Sequence, residues 1–358
     1  MSRKPDAVET ILVRCPNWVG DVVMATPTLD CLRDNFPTAR IIGAIRRNLR
    51  AVVEEGPWFD DIIDCEDKTW PGFRRMVRRI RAMKPDMAVL LPNSIRSVLP
   101  FRLGRAKRIY GYRRSLRGLL LSGGPRPMRD RTKITPIPMQ DYYLEICRWL
   151  GLTLPAAREP RLFIGHDLRK QGDNLLKRYG IQEKDKLVAL NPGASFGSSK
   201  CWPAEHFAVT AELFEQHMQA KILLLSGPGE DEIVHTIITK TRAAIINTYP
   251  DRVDLGLLKP LVRRCNLLIT NDTGPRHYAV AFHVPVVVIM GPTDPRYTCA
   301  NLERTTVIRK ELDCSPCHKK VCPTDHRCMK DITPEMVFEA GRKLLEDQEQ
   351  HETVVLQR

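Results

Sequence analysis

Nowhere in the 358 residues does an uninterrupted apolar run approach the ~18 needed to cross a bilayer. That excludes an integral helical membrane protein. An export signal needs an apolar core of ~7–15 residues, and the first apolar run here is only Ile11-Leu12-Val13. A cytoplasmic chain is therefore expected, with reduced thiols as its default. The phosphate-loop pattern G-x-x-x-x-G-K-[S/T] is missing, and its nearest approach, residues 193–200 (GASFGSSK), has the wrong spacing. No G-x-G-x-x-G follows the first apolar run, which counts against a nicotinamide dehydrogenase, and neither H-E-x-x-H nor G-x-S-x-G occurs. Aromatics make up only 6%, and Tyr110 and Tyr112 are the only ones between Phe101 and Lys133. That strongly basic stretch therefore lacks the stacking residues of a nucleic-acid binder, and nucleic acid is not expected as a partner.

What is present describes an ordinary globular chain, 43% apolar and 27% charged, long enough for two domains. Short runs of branched aliphatics recur at 10–14, 40–45, 86–91, 186–190, 221–225, 266–270 and 284–290. Runs of this length read as strands buried on both faces, as in parallel sheets. Amphipathic helical stretches such as 73–83, 140–150 and 203–219 lie between them. The expected class is α/β, two doubly wound Rossmann-like domains with a linker at 151–160 and a cleft between their sheet edges. Charge is uneven. Twelve bases face one acid, Asp130, over 96–133, and seven more bases with no acid occupy 68–84. Such a half suits a polyanionic substrate or an anionic membrane surface, although a merely solvated face is equally consistent with it.

Four loops carry candidate chemistry. After the first strand comes Asn17-Trp18-Val19-Gly20-Asp21, then Thr26-Pro27. Gly20 is expected to make a tight turn, and Thr26 to cap a helix begun by Pro27. Asp21 is then either a helix-start carboxylate or a general base facing the cleft. Residues 190–195 (LNPGAS) lead into Lys200-Cys201-Trp202-Pro203, a small-residue loop offering amides, hydroxyls and one ammonium to an anion. Ser226-Gly227-Pro228-Gly229-Glu230-Asp231 places an acid at a helix start, where a ribose hydroxyl is often met. Finally Asn271-Asp272-Thr273-Gly274-Pro275-Arg276-His277 follows a buried strand, and its helix N-terminus makes a diphosphate seat.

Taken together and in order, three of these sets, Gly20-Asp21…Pro27, Asn191-Pro192-Gly193…Lys200-x-Trp202-Pro203 and Asn271-Asp272-Thr273-Gly274-Pro275-x-His277, resemble those of the bacterial lipopolysaccharide heptosyltransferases. This is glycosyltransferase family 9, and the likeness is greatest to its heptosyltransferase II group. It runs from about Ile11 to Val337. The resemblance implies a GT-B fold and an inverting transfer of heptose from ADP-heptose to a lipid A–core acceptor. It makes Asp21 the catalytic base and gives Lys200 the phosphates to stabilise. Ser195, Asp272, Thr273, Gly274 and His277 fall in the donor site, with Glu230 at the ribose. Arg276 receives no fixed role, and acceptor-binding residues stay unassigned. Residues 1–158 are expected to bind the acceptor and 159–330 the nucleotide sugar, with 331–358 forming a helix that crosses back towards the first domain. No cofactor is required. The basic first half would meet the acceptor and the anionic inner leaflet of the cytoplasmic membrane. A relative with another nucleotide-sugar or acceptor, or a non-catalytic nucleotide-sugar or polyanion binder, fits the same features.

Eleven cysteines are an odd count, and seven are scattered in mostly apolar contexts. The other four, Cys314, Cys317, Cys322 and Cys328, fall within 15 residues together with His318 and His326. Their spacing leaves three readings open: a structural zinc, reduced packing thiols, or a disulfide or redox clip.

Overall fold

The computed structural model describes residues 8–131 and 133–356. The chain divides into two compact units, one running to Phe163 and including Arg296–Thr298, the other comprising Ile164–Pro295 and Cys299 onward.

In the first unit, strands β1 (Thr10–Arg14), β2 (Arg40–Ile45), β3 (Asp61–Asp64), β4 (Met87–Leu90) and β5 (Arg108–Gly111) form one parallel sheet ordered β3-β2-β1-β4-β5. Leu12 sits opposite both Ile42 and Ala88 in register and is fully buried. The core around it includes Leu90, Val98, Phe101 and Ile109. The chain reverses its direction of winding between β1 and β4, so a crevice-forming switch point lies at the carboxyl end of β1. A small hairpin, β6 (Arg129–Asp130) with β7 (Lys133–Ile134), follows. Beyond residue 150 the chain stays tied to this unit. The Thr153 carbonyl accepts from Asn35 Nδ2 (2.8 Å), Arg161 pairs with Asp30, and Phe163 meets the Trp58 ring edge-on.

The second unit repeats the plan with one more strand. Strands β8 (Leu187–Asn191), β9 (Lys221–Leu224), β10 (Ile245–Asn247), β11 (Leu267–Asn271), β12 (Val286–Ile289) and β13 (Thr305–Ile308) form a parallel sheet ordered β10-β9-β8-β11-β12-β13. Its switch point falls between β8 and β11, where Ile269 pairs with Leu190 on one side and Val287 on the other. The helix Pro334–Leu356 packs on the helix Ala204–Met218 and on β11 to β13. Gly341 permits that approach, since a Cβ there would lie 2.7 Å from both Leu267 and Phe214 side chains.

Two local expectations need correcting. Gly20 makes no tight turn, because it is the second residue of the helix Val19–Met24. Thr26 does not cap the next helix, Thr26–Asn35. The first helix runs almost directly into it, and Ala25, the residue between, is itself helical in backbone rather than extended as a capping residue would be. The Thr26 hydroxyl instead donates to the Val23 carbonyl (2.8 Å) and accepts from the Arg161 amide (3.0 Å).

Candidate active site

At the switch point of the first unit, buried Arg14 holds the turn after β1. It donates to the Cys15 carbonyl and, at 2.7 Å, to Asn17 Oδ1. The turn delivers Asp21 to the first turn of the helix Val19–Met24, half-buried. Tyr143, from the distant helix Met139–Trp149, donates its phenol O–H to Asp21 Oδ1 at 3.1 Å. Burial first, and the neighbouring carboxylate second, push the Tyr143 phenol well above its usual range. It therefore stays a proton donor and holds the carboxylate in one orientation.

The second unit builds a denser site where the loops after β8 and β11 meet. Asn191 and Asn271 stitch them together. Asn191 Nδ2 donates to Thr270 Oγ1 (3.0 Å) and Thr273 Oγ1 (3.2 Å), while Asn271 Nδ2 donates to the Pro192 carbonyl (2.6 Å). Asn271 Oδ1 accepts from the Trp202 amide at 3.0 Å. Thr273 is extended, and the eight-residue helix Gly274–Ala281 opens directly after it. Its first-turn N–H groups and dipole favour an anion at that end.

Asp272 is the hub. Lys200 Nζ lies 2.9 Å from its Oδ2 and 2.8 Å from its carbonyl. Arg276 Nη1 lies 2.7 Å from Oδ1, and Thr293 Oγ1 donates to Oδ2 at 2.7 Å. Burial alone would raise the Asp272 carboxyl, but the charges of Arg276 and then Lys200 hold it well below the usual carboxylate range. His277, one helical turn on, is buried. Desolvation, then the charge of Arg276, bring it down to about 3, so the ring is neutral near pH 7. Lys200 also lies over the Phe196 ring, 5.3 Å from its centroid.

Gly197, with φ +154°, makes the turn before Lys200, and a Cβ there would lie 2.3 Å from the Lys320 carbonyl. The Ser199 amide donates to that same carbonyl at 3.0 Å, and His326 Nε2 lies 2.8 Å from the Ser199 carbonyl. The cysteine-rich segment thus braces the Lys200 loop. Its zinc reading finds no support, because among the described residues no three His, Cys, Asp or Glu side chains are placed to hold a metal ion. Cys314 is exposed, Cys317 and Cys322 are half-buried, and Cys328 is buried near Gly291.

Glu230 reaches the same region. Its Oε2 accepts from the Gly227 amide at 2.8 Å, and its carboxylate fills the space that a Cβ on Gly193 would occupy. Burial raises its carboxyl against the opposing Gly227 N–H. The neighbouring Asp231 accepts from the Tyr249 hydroxyl instead. Ser195 is exposed at the tip of the loop after β8. The second unit therefore gathers Lys200, Asp272, Thr273, Gly274 and His277 into one cluster, with Glu230 beside Gly193 and Ser195 at the loop tip. Asp21 belongs to the first unit. Sequence reasoning gave Arg276 no fixed role and passed over Thr293 and Tyr143. Arg276 carried a signal, since it lies four residues after Asp272 at a helix start, the spacing of an i,i+4 ion pair. Tyr143, 122 residues from Asp21, carried none.

Residues 73–327 match the model of glycosyltransferase family 9 (heptosyltransferase). The chain belongs to glycosyltransferase family 9. It is 28% identical over 341 residues to the lipooligosaccharide heptosyltransferase 2 of Campylobacter jejuni, covering 94% of this chain and 98% of that one. A family 9 glycosyl transferase structure from Veillonella parvula superposes with a TM-score of 0.82 at 26% identity, covering 97% and 99% of the two chains. The Escherichia coli ADP-heptose LPS heptosyltransferase II structure gives 0.78 at 25% identity, covering 95% and 99%. This family 9 glycosyltransferase is an α/β protein of the GT-B class with two Rossmann-like units. Among its described residues, no helix is long and apolar enough to cross a membrane.

Proposed function

We propose that this family 9 enzyme transfers heptose from ADP-heptose to the lipid A–core acceptor of lipopolysaccharide, with inversion, as a heptosyltransferase II. The observation that carries the reading is the Lys200–Asp272–Arg276 network beside the open start of the helix Gly274–Ala281. That arrangement suits a nucleoside diphosphate. In this reading the second unit takes the donor. Lys200 and the helix amides meet the diphosphate, Ser195 and Thr273 offer hydroxyls, neutral His277 offers a ring nitrogen, and Glu230 takes the ribose.

The first unit supplies the base. Asp21, held by Tyr143, accepts the proton of the acceptor hydroxyl as its oxygen attacks the anomeric carbon. The bond from that carbon to the diphosphate oxygen breaks, and the charge left on ADP is met by Lys200 and the helix start. The exposed arginines of the first unit favour an acceptor bearing carboxylates and phosphates, and a place at the inner face of the cytoplasmic membrane.

The test is ADP release from ADP-heptose with a panel of truncated core acceptors. Turnover that requires a core already carrying one heptose supports the reading. Release from another nucleotide sugar, or tight ADP-heptose binding without turnover, would overturn it.

A further inference from the structure

The segment Ser115–Leu119, a single 3-10 turn after β5, has its side chains arranged against ordinary folding logic. Its arginine is inside and its leucines are outside. Arg117 is fully buried, with one guanidinium nitrogen donating to the Pro92 carbonyl. Leu116 is 73% exposed and Leu119 83%, more than any other large apolar side chain among the described residues. Burying a guanidinium is costly and exposing leucine forfeits apolar burial, so local stability alone would select the reverse. A 3-10 turn has three residues per turn, so positions 116 and 119 share one face. Two leucines therefore project side by side.

Their surroundings are basic. Arg113 and Arg114, just before the turn, are exposed. The turn packs on the helix Ile95–Leu103, which adds exposed Ile95 and Leu103 beside exposed Arg96 and Arg102. That helix packs in turn on Trp70–Met83, whose Trp70 is 69% exposed ahead of five exposed arginines. Apolar tips set among cations, with Asp130 the one acid across 96–133, suit a surface that is negative outside and apolar just beneath. We propose that the 115–119 turn is a membrane-docking element, with Leu116 and Leu119 entering the interface of an anionic phospholipid bilayer and the neighbouring arginines meeting its headgroups. The proposal rests on the reading that the acceptor is membrane-borne, and gives that contact a location.

The test is co-sedimentation of the full chain with vesicles of phosphatidylcholine containing phosphatidylglycerol, and with phosphatidylcholine alone. The wild type should bind the anionic vesicles, less so as salt rises. Burying one leucine corresponds to roughly tenfold or more in partition, so Leu116→Ser with Leu119→Ser should bind about a hundredfold more weakly. Equal binding by wild type and double variant overturns the proposal. So does a dimer that the substitutions dissociate while vesicle binding is unchanged, since a second copy would then be the occupant. Leu119→Trp gives a measurement that needs no loss. Its added emission should shift to the blue with anionic vesicles, and an unshifted spectrum counts against insertion. ADP release with a lipid-free core oligosaccharide should be equal in wild type and double variant. Absence of release in both would sink the transferase reading while leaving docking to be judged by the vesicles alone.

Discussion

His277 offers a prediction whose size follows from its surroundings. The ring is buried in the helix Gly274–Ala281, and desolvation together with Arg276 brings it down to about 3, against an ordinary value of 6.5. Between those values the unfolded chain binds a proton that the folded chain refuses, so acid favours unfolding. The contribution is fully present above pH 6.5 and is lost as the pH falls towards 3. At pH 5 the medium is about 1.5 units below the unfolded value. At about 1.4 kcal/mol per unit, the wild type should lose about 2 kcal/mol through this group. His277→Gln keeps a polar side chain and removes the titration. Urea unfolding at pH 7 and pH 5 measures both proteins, and the other histidines cancel in the comparison. The wild type should lose about 2 kcal/mol more than the variant between the two pH values. Equal losses would mean that the ring is not held neutral, and its role as an uncharged donor ligand would fall with it.

Three other outcomes follow from the same geometry. Tyr143→Phe removes the hydrogen bond that orients Asp21, so kcat should fall about tenfold while KM for the donor stays put; steady-state kinetics would show it, and an unchanged kcat would make the phenol purely structural. Arg276→Leu strips a buried partner from Asp272 and should cost about 3 kcal/mol in urea unfolding, with Arg276→Lys recovering much of it. Lys200→Ala leaves Asp272 paired with Arg276 and Thr293, so its stability loss should be the smaller of the two, whereas kcat should fall about a hundredfold. A Lys200 variant that unfolds readily but turns over normally would reassign that residue to the core.

The sheets were legible in the sequence from the centre outward. β1, β2 and β4 of the first sheet and β8, β9, β11 and β12 of the second are buried on both faces, and their unbroken aliphatic runs declare them. The four strands of these two sheets that were passed over, β3 (DIID), β5 (RIYG), β10 (IIN) and β13 (TTVI), are their edge strands. An edge strand meets solvent and can carry charge or stay very short, so its run is broken or brief. Loops that carry the candidate site stood out in the sequence by their glycine, asparagine and a lone lysine after a buried strand. What stayed hidden depends on tertiary contact. Tyr143 reaches Asp21 from another part of the chain, and Lys320 and His326 of the cysteine-rich segment reach Ser199 from more than a hundred residues away. Gly20 and Thr26 were misjudged because two helices run together there, and a short polar stretch after a strand looks the same whether it turns or winds.

In the proposed mechanism, Asp21 is the residue on which catalysis turns. The direct measurement is ADP release by Asp21→Asn in the presence of a heptosylated core acceptor, alongside ADP-heptose affinity by calorimetry. General-base assistance is worth about 10²–10⁴ in rate. The variant should bind the donor like the wild type and turn over at least a hundredfold more slowly. Wild-type turnover with asparagine at position 21 would contradict the mechanism outright.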